Sequence, residues 1–364
     1  MENKNKYFPD YAIPPGETLL EVIESKGITQ SELAERMGRP KKTINEIIKG
    51  KASITPETSI QLERVLNIPA RFWDNLEKNY RSDLARIAEV EKLKNDIAWS
   101  KRFPLRKMIA YGWIADIKDN ISMVDQLLKF FGVASTKAWQ SKWGRKTFCS
   151  LSFRKSKAYE TDESALSVWL CQGMRIAEKQ VVEPFDKKAF AKVVKECVPL
   201  TTYSPDRFQP QLVKMCAKCG VIVIFVKELP KVPVHGVTYW DHLNRPVIQL
   251  SLRYKTNDQF WFSFFHEAGH VLLHGKKDFI YSETAKSWEN EADNFAKDVL
   301  IDKNVFIQFV EEHENKFSLG VVREFAKSQH IAPGIVVGRL QHEKKIGYNK
   351  LNGLKLSFDW EKSS

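Results

Sequence analysis

Cysteine is scarce here and long apolar runs are missing. Five cysteines in 364 residues, at 149, 171, 197, 216 and 219, form an odd and irregular set. Such a set excludes a disulfide framework in so long a chain and points to reduced thiols. No stretch reaches the ~18 consecutive apolar residues of a membrane helix, and residues 1–17 lack the apolar core of a secretory signal. A cytoplasmic protein without a membrane partner is therefore expected. Acidic residues are also in deficit, 45 against 57 Lys and Arg, for a net charge of +12. The deficit is local. Residues 1–80 carry 12 basic and 12 acidic residues, 81–155 carry 16 and 7, and 156–364 carry 29 and 26, so the middle segment supplies nine of the twelve charges. That excess fits a solvated basic helical surface, or one lying beside DNA or facing an acidic partner; composition does not choose between them.

What is present suffices for several cores: a 43% apolar chain of this length implies two or three domains. Apolar residues recur at helical spacing over 17–80 (Leu19, Val22, Ile23; Leu33, Ala34, Met37; Ile44, Ile47, Ile48; Leu62, Val65, Leu66), with breaks at Gly27, Gly38 and Gly50. Residues 81–200 read as helical and aromatic-rich. Trp99, Trp113, Trp139, Trp143 and Trp169 are expected to serve mostly in packing. From residue 220 the character changes. Val221–Val226 and Pro246–Leu252 read as buried strands, and helices follow over about 257–274 and 288–301. No internal repeat or long flexible linker separates these parts.

Two constellations carry chemistry. Thr29 and Glu32 have capping-box spacing, which starts a helix at 29. A turn at Gly38-Arg39-Pro40 leads to a second helix with Ile44, Ile47 and Ile48 inward and Lys41, Lys42, Thr43 and Asn45 outward. Cations and amides near the start of such a helix are what phosphates and base edges in a major groove require. Between Arg36 and Lys51 six basic residues face a single acidic one. Farther along, His266 and His270 stand four apart on a helix, so their rings lie ~40° apart around its axis and ~6 Å apart along it. That is close enough to share one ion, with Glu267 beside them to accept a proton from activated water and pass it to a leaving amine. With eight histidines in the chain, chance gives this His-Glu-x-x-His pattern on the order of 0.01 times. Position 276 is Lys276, so a third histidine ten residues after the first is lacking, and Glu291 on the next helix is the better third ligand. Zinc suits this set best, although manganese or iron would also be accepted. His274, a further turn along, fits a supporting or packing role better than a ligand's; Asp293 could orient a ligand or be solvated. His235 and Tyr239 could line a substrate groove or occupy an ordinary strand end. Cys216 and Cys219 lack a second pair to complete a zinc site and read as structural.

The segment over about 14–80 resembles the XRE, or lambda-repressor-like, helix-turn-helix family, and its Pro14-Pro15-Gly16-Glu17 entry resembles the HigA-type antitoxin branch. That resemblance implies a homodimer on a partly palindromic operator in double-stranded DNA, Gln30 on backbone phosphate, and Lys41, Lys42, Thr43 and Asn45 near bases. The run from Phe262 to His274, together with Glu289, Glu291, Ala292, Asp293, Phe295 and Ala296, resembles the ImmA/IrrE metallopeptidase family. This likeness extends upstream over Phe153–Ser156 and both strands. It implies one zinc per chain with Glu291 as third ligand, and substrates that are helix-turn-helix repressors. The second helix departs from the family's Leu-Leu-Met-Pro type of ending, closing instead as Val299-Leu300-Ile301-Asp302.

A multidomain chain is thus expected. It would comprise an all-α lambda-repressor-like domain over 14–80, a helical connecting region over 81–200, and an α+β zincin-like domain over 201–345. Two functions fit. One is a DNA-binding regulator whose zinc endopeptidase cuts itself or a partner repressor or toxin. The other is an antitoxin-like repressor whose zincin-like domain is a non-catalytic sensor or partner-binding module.

Overall fold

The computed structural model describes residues 11–144, 152–155, 162–252, 256–276, 283–313 and 316–358. The first ten residues, Cys149 and Ser156 lie outside the described residues. The chain forms two compact units, one ending at Ala98 and taking in Asp119–Val124, the other made of Trp99–Lys118 and Asp125 onward. This differs from breaks at 80 and 200. The fifth helix runs through residue 80 without a glycine or proline to stop it, and most of the expected connecting region packs into the second unit.

In the first unit, α1 (Pro15–Ser25) opens on a proline, which needs no hydrogen-bond acceptor at a helix start. The helix α2 (Gln30–Arg36) is capped by Thr29, whose hydroxyl accepts from the Glu32 amide at 3.2 Å. The turn that follows places Gly38 at φ +63°, a conformation costly to any residue with a Cβ. Next come α3 (Lys41–Ile48), α4 (Pro56–Leu66), capped by Thr55, and α5 (Ala70–Asn95). Their inward faces bury Leu19, Leu33, Ile44, Leu62 and Trp73 in one core.

The second unit begins with α6 (Leu105–Ala110), α7 (Asn120–Phe131, its first turn grouped with the first unit) and α8 (Thr136–Trp143). Trp139 and Trp143 are buried here, and Trp99 meets Trp139 edge to face at 5.6 Å, the arrangement ring quadrupoles favour. Trp169 is buried as well, so Trp139, Trp143 and Trp169 serve in packing, while Trp99 and Trp113 are half-buried. The mixed sheet has four strands where two were expected: β1 (Ser152–Lys155), β2 (Ile222–Val226), β3 (Val234–Trp240) and β4 (Pro246–Ser251), in the order β1-β3-β4-β2. β3 runs antiparallel to both neighbours, and β2 runs parallel to β4. The polar His235, Gly236 and Thr238 hide β3 from an apolar-pattern search.

Against this sheet lies α9 (Glu163–Ala177), whose Trp169 carbonyl accepts from Gln249 at 2.8 Å. After α10 (Lys187–Glu196) and α11 (Pro205–Ala217), the helix α12 (Asn257–Gly269) lies against β3 and continues as one π-helical turn, His270–His274. The long α13 (Glu283–Leu300) packs on α12, and α14 (Lys303–Glu312), α15 (Leu319–Ser328) and α16 (Pro333–His342) follow. Phe260, Trp261, Phe264 and Phe265 drive α12 into the core, as its apolar face requires. The four described cysteines, 171, 197, 216 and 219, are buried free thiols. Among the described residues no helix is long and apolar enough to cross a membrane.

Candidate functional site

Two histidines and one carboxylate converge where α12 meets α13. His266 and His270 are each 1% exposed, and their Nε2 atoms lie 3.0 Å apart. Both face Glu289, whose carboxylate oxygens stand 3.3 Å from each Nε2. One ligand atom from each of the three lies within 4.8 Å of the others. Two imidazole nitrogens and a carboxylate oxygen are the donor set of an open zinc site, so the residues fit the ion.

The structure does not bring the expected third member, Glu291, to this pair. Glu291 is about half exposed and reaches His274 instead, at 3.3 Å. Helical geometry explains the difference: residues 289, 292, 293 and 296 follow the i, i+3, i+4, i+7 face. Ala292 and Ala296 on that face are fully buried, Ala292 beside Gly269. Position 291 lies ~200° around the axis from 289. The alanines gave the signal, since small residues mark the side of α13 that touches α12.

Both histidines are fixed from behind. Asp293 holds Nδ1 of His266 at 2.8 Å, the orienting partner that ligating imidazoles usually have. Nδ1 of His270 lies 3.0 Å from Nδ1 of His274, which stacks on Trp288 at 5.0 Å. If Nε2 of His270 keeps its lone pair, its proton resides on Nδ1 and is donated to His274, which donates in turn from Nε2 to Glu291. Burial, and secondarily the neighbouring His266, lowers the pKa of His270 despite hydrogen bonding to Glu289. Burial, then His270, likewise lowers that of His274. For Glu289 burial acts upward, but hydrogen bonds from His266 and His270 prevail and bring it down to about 2. A neutral imidazole at His270 and an ionised carboxylate at Glu289 are the forms a cation needs.

Glu267 is fully buried. Thr238 of β3 donates toward it, its hydroxyl lying 2.8 Å from Oε2 and 3.1 Å from the Glu267 carbonyl. A Cβ at Gly236 would come within 2.8 Å of Glu267 Cγ, so a side chain there would displace the Glu267 carboxylate. Neither Thr238 nor Gly236 was singled out from the sequence, because each looks like an ordinary strand residue until β3 is laid against α12. His235 lines a cavity beside this centre, together with Phe262. Tyr239 is not brought to the groove: Thr238 faces Glu267, so its neighbour points to the opposite face. There burial pushes the Tyr239 phenol well above its usual range, with Asp241 and Cys171 nearby.

In the first unit Lys41 and Lys42 are exposed, with Thr43, Asn45 and Gln30 half-buried. Ile44 and Ile47 are buried beneath them and Ile48 half-buried, which turns the polar edge of α3 outward. Lys42 stands only 3.9 Å from Glu46 and stays 85% exposed, so that pair barely restrains it.

Residues 19–73 match a helix-turn-helix family, and residues 217–329 match the IrrE N-terminal-like domain. The HTH-type transcriptional regulator YddM of Escherichia coli K12 is 30% identical over 78 residues, covering 21% of this chain and 78% of the relative. Among solved structures, an addiction module antidote protein of a HigA family from Coxiella burnetii is 27% identical, covering 23% of this chain and 94% of that one, with TM-score 0.22. Pseudomonas aeruginosa antitoxin HigA, solved with the higBA promoter, is 28% identical, covering 24% and 95%, also with TM-score 0.22.

Proposed function

The chain belongs to the XRE-type helix-turn-helix regulators and joins that DNA-binding domain to an IrrE N-terminal-like domain of metallopeptidase fold, and from this premise we propose a regulator that also hydrolyses a peptide bond. His266, His270 and Glu289 hold zinc, and Glu267 is the base. The observation that carries this reading is the convergence of two buried imidazoles and the half-buried Glu289 beside a carboxylate pinned by Thr238. Zinc bound there would supply Lewis acidity that eases deprotonation of water. The chain's own residues do the rest. Glu267 takes the proton of the attacking water at its carboxylate and returns it to the departing amine nitrogen. Thr238 and Gly236 fix where that carboxylate sits, Asp293 and His274 set the ring planes, and the apolar wall around α12 excludes bulk water.

On the DNA side, a homodimer would place α3 of each copy in a major groove, Lys41 and Lys42 meeting phosphate or base edges, Thr43 and Asn45 nearby, and Gln30 on the backbone. The cleaved chain would be this regulator itself or a partner repressor or toxin.

The test has two readouts. Protein purified without chelator should hold about one zinc per chain by mass spectrometry, lost on joint His266→Ala and His270→Ala replacement. Glu267→Gln should keep the zinc while a truncation product seen with wild type disappears. Identical fragments in Glu267→Gln would end the peptidase reading. Absence of zinc from wild type would turn the assignment toward a non-catalytic, antitoxin-like repressor.

A further inference from the structure

Two turns before His266 on α12, a cavity of ≈ 510 Å³ opens among α12, α13, α16 and the C-terminal segment. Its size is that of a small-molecule site. Asp258 lies ~12 Å along the helix from His266, and none of His266, His270 or Glu289 lines the cavity. The space therefore adjoins the metal centre through Phe262, whose ring lies 6.4 Å from that of His266, without including its ligands.

Its chemistry is specific at two points. Asp258 lines the cavity and is only 8% exposed. Its Oδ2 pairs with Lys355 at 2.6 Å, and Gln341 accepts from the same ammonium at 2.8 Å. The other oxygen, Oδ1, is buried with no hydrogen-bond partner. A buried carboxylate oxygen left in this state calls for a donor. The second point is Lys297, a half-buried lining residue whose ammonium forms no ion pair among the described residues. Arg339, the nearby cation, is committed elsewhere: its guanidinium donates to the carbonyls of Lys297 and Ile301, pairs with Glu343 and lies over Phe306. The walls include the rings of Phe262 and His342, only 27° from parallel with centroids 6.4 Å apart.

We propose that this cavity binds a planar heteroaromatic anion, its N–H donated to Asp258 Oδ1, its anionic group at Lys297 and its ring against Phe262 and His342. Nucleoside monophosphates and indolyl carboxylates share that chemistry. The inference does not depend on whether the neighbouring centre cleaves peptides.

Isothermal titration of the full chain tests it with two matched pairs. Adenosine 5′-monophosphate is set against purine riboside 5′-monophosphate, and indole-3-acetate against 1-naphthylacetate; the second of each pair lacks the donor. One donor-bearing probe should bind once per chain, about tenfold tighter than its donor-free match, since the bond to a carboxylate is charge-assisted. Lys297→Ala, at a half-buried position without an ion pair, should weaken it at least tenfold. Asp258→Asn should erase the preference for the donor. Because it also breaks the Lys355 pair, it is read beside Lys297→Ala. The tighter of adenosine monophosphate and indole-3-acetate identifies the source. If neither binds at about millimolar concentration, or if binding is unchanged in Lys297→Ala, the proposal is overturned.

Discussion

Replacing Glu289 by Gln should cost the centre far more zinc affinity than replacing Glu291 by Gln. Glu289 faces both imidazoles at 3.3 Å, whereas Glu291 reaches the centre only through His274 and then His270. If roughly 10 kcal/mol of apparent zinc binding is shared among three protein ligands, each contributes about 3 kcal/mol, so losing one weakens Kd by about 10²-fold. Partners behind a ligand cost about 10–100-fold when removed, the range expected for Asp293→Asn, and Glu291, one step farther out, should fall at or below its lower end. The consequence is measurable by thermal unfolding. At free zinc about 1,000 times the wild-type Kd, the ion stabilises wild type by about 4.1 kcal/mol and a hundredfold weaker variant by about 1.4 kcal/mol. The difference of about 2.7 kcal/mol corresponds to a zinc-dependent Tm shift smaller by about 5–10 °C in Glu289→Gln. Competition with a chromophoric chelator gives the affinities directly. A large loss in Glu291→Gln with wild-type binding in Glu289→Gln would refute the geometric argument.

Three further outcomes follow from the same structure. Replacing Lys41 and Lys42 together with Ala should weaken operator binding and lower the slope of log K against log salt by about one to two units, if both meet phosphate; an unchanged slope in a titration series removes them from the interface. Gly236→Ala should leave folding within about 1–3 kcal/mol of wild type but displace Glu267, so a peptide-cleavage assay should lose rate while zinc content holds. Asp241→Asn should destabilise at pH 7 by about 1.5–3 kcal/mol, the worth of hydrogen bonds to a charged group. Burial opposes ionisation of Asp241, yet backbone and side-chain hydrogen bonds from Arg245 prevail and depress its pKa below 3.8. A depressed carboxyl contributes stability above its unfolded pKa and loses it as pH falls through the folded value. The wild-type advantage in urea titrations should therefore shrink below about pH 4, and a constant gap down to pH 2 would contradict the assignment.

The sequence by itself determined the parts whose chemistry is local. A capping pair at Thr29 and Glu32, a turn glycine at 38 and the isoleucine stripe of α3 suffice to build a helix with an exposed polar edge, because each acts within one or two helical turns. The pair His266 and His270 with Glu267 was legible for the same reason. Tertiary structure decided whatever depends on two elements meeting. Glu289 and Glu291 are alike in type and two residues apart, and only the packing of Ala292 and Ala296 onto α12 says which of them faces the histidines. Thr238 and Gly236 acquire roles only when β3 is laid against Glu267. The polar oxygen of Asp258 becomes conspicuous only once it is buried without a partner. Sequence spacing reports what a single helix presents, and burial and pairing across elements remain properties of the fold.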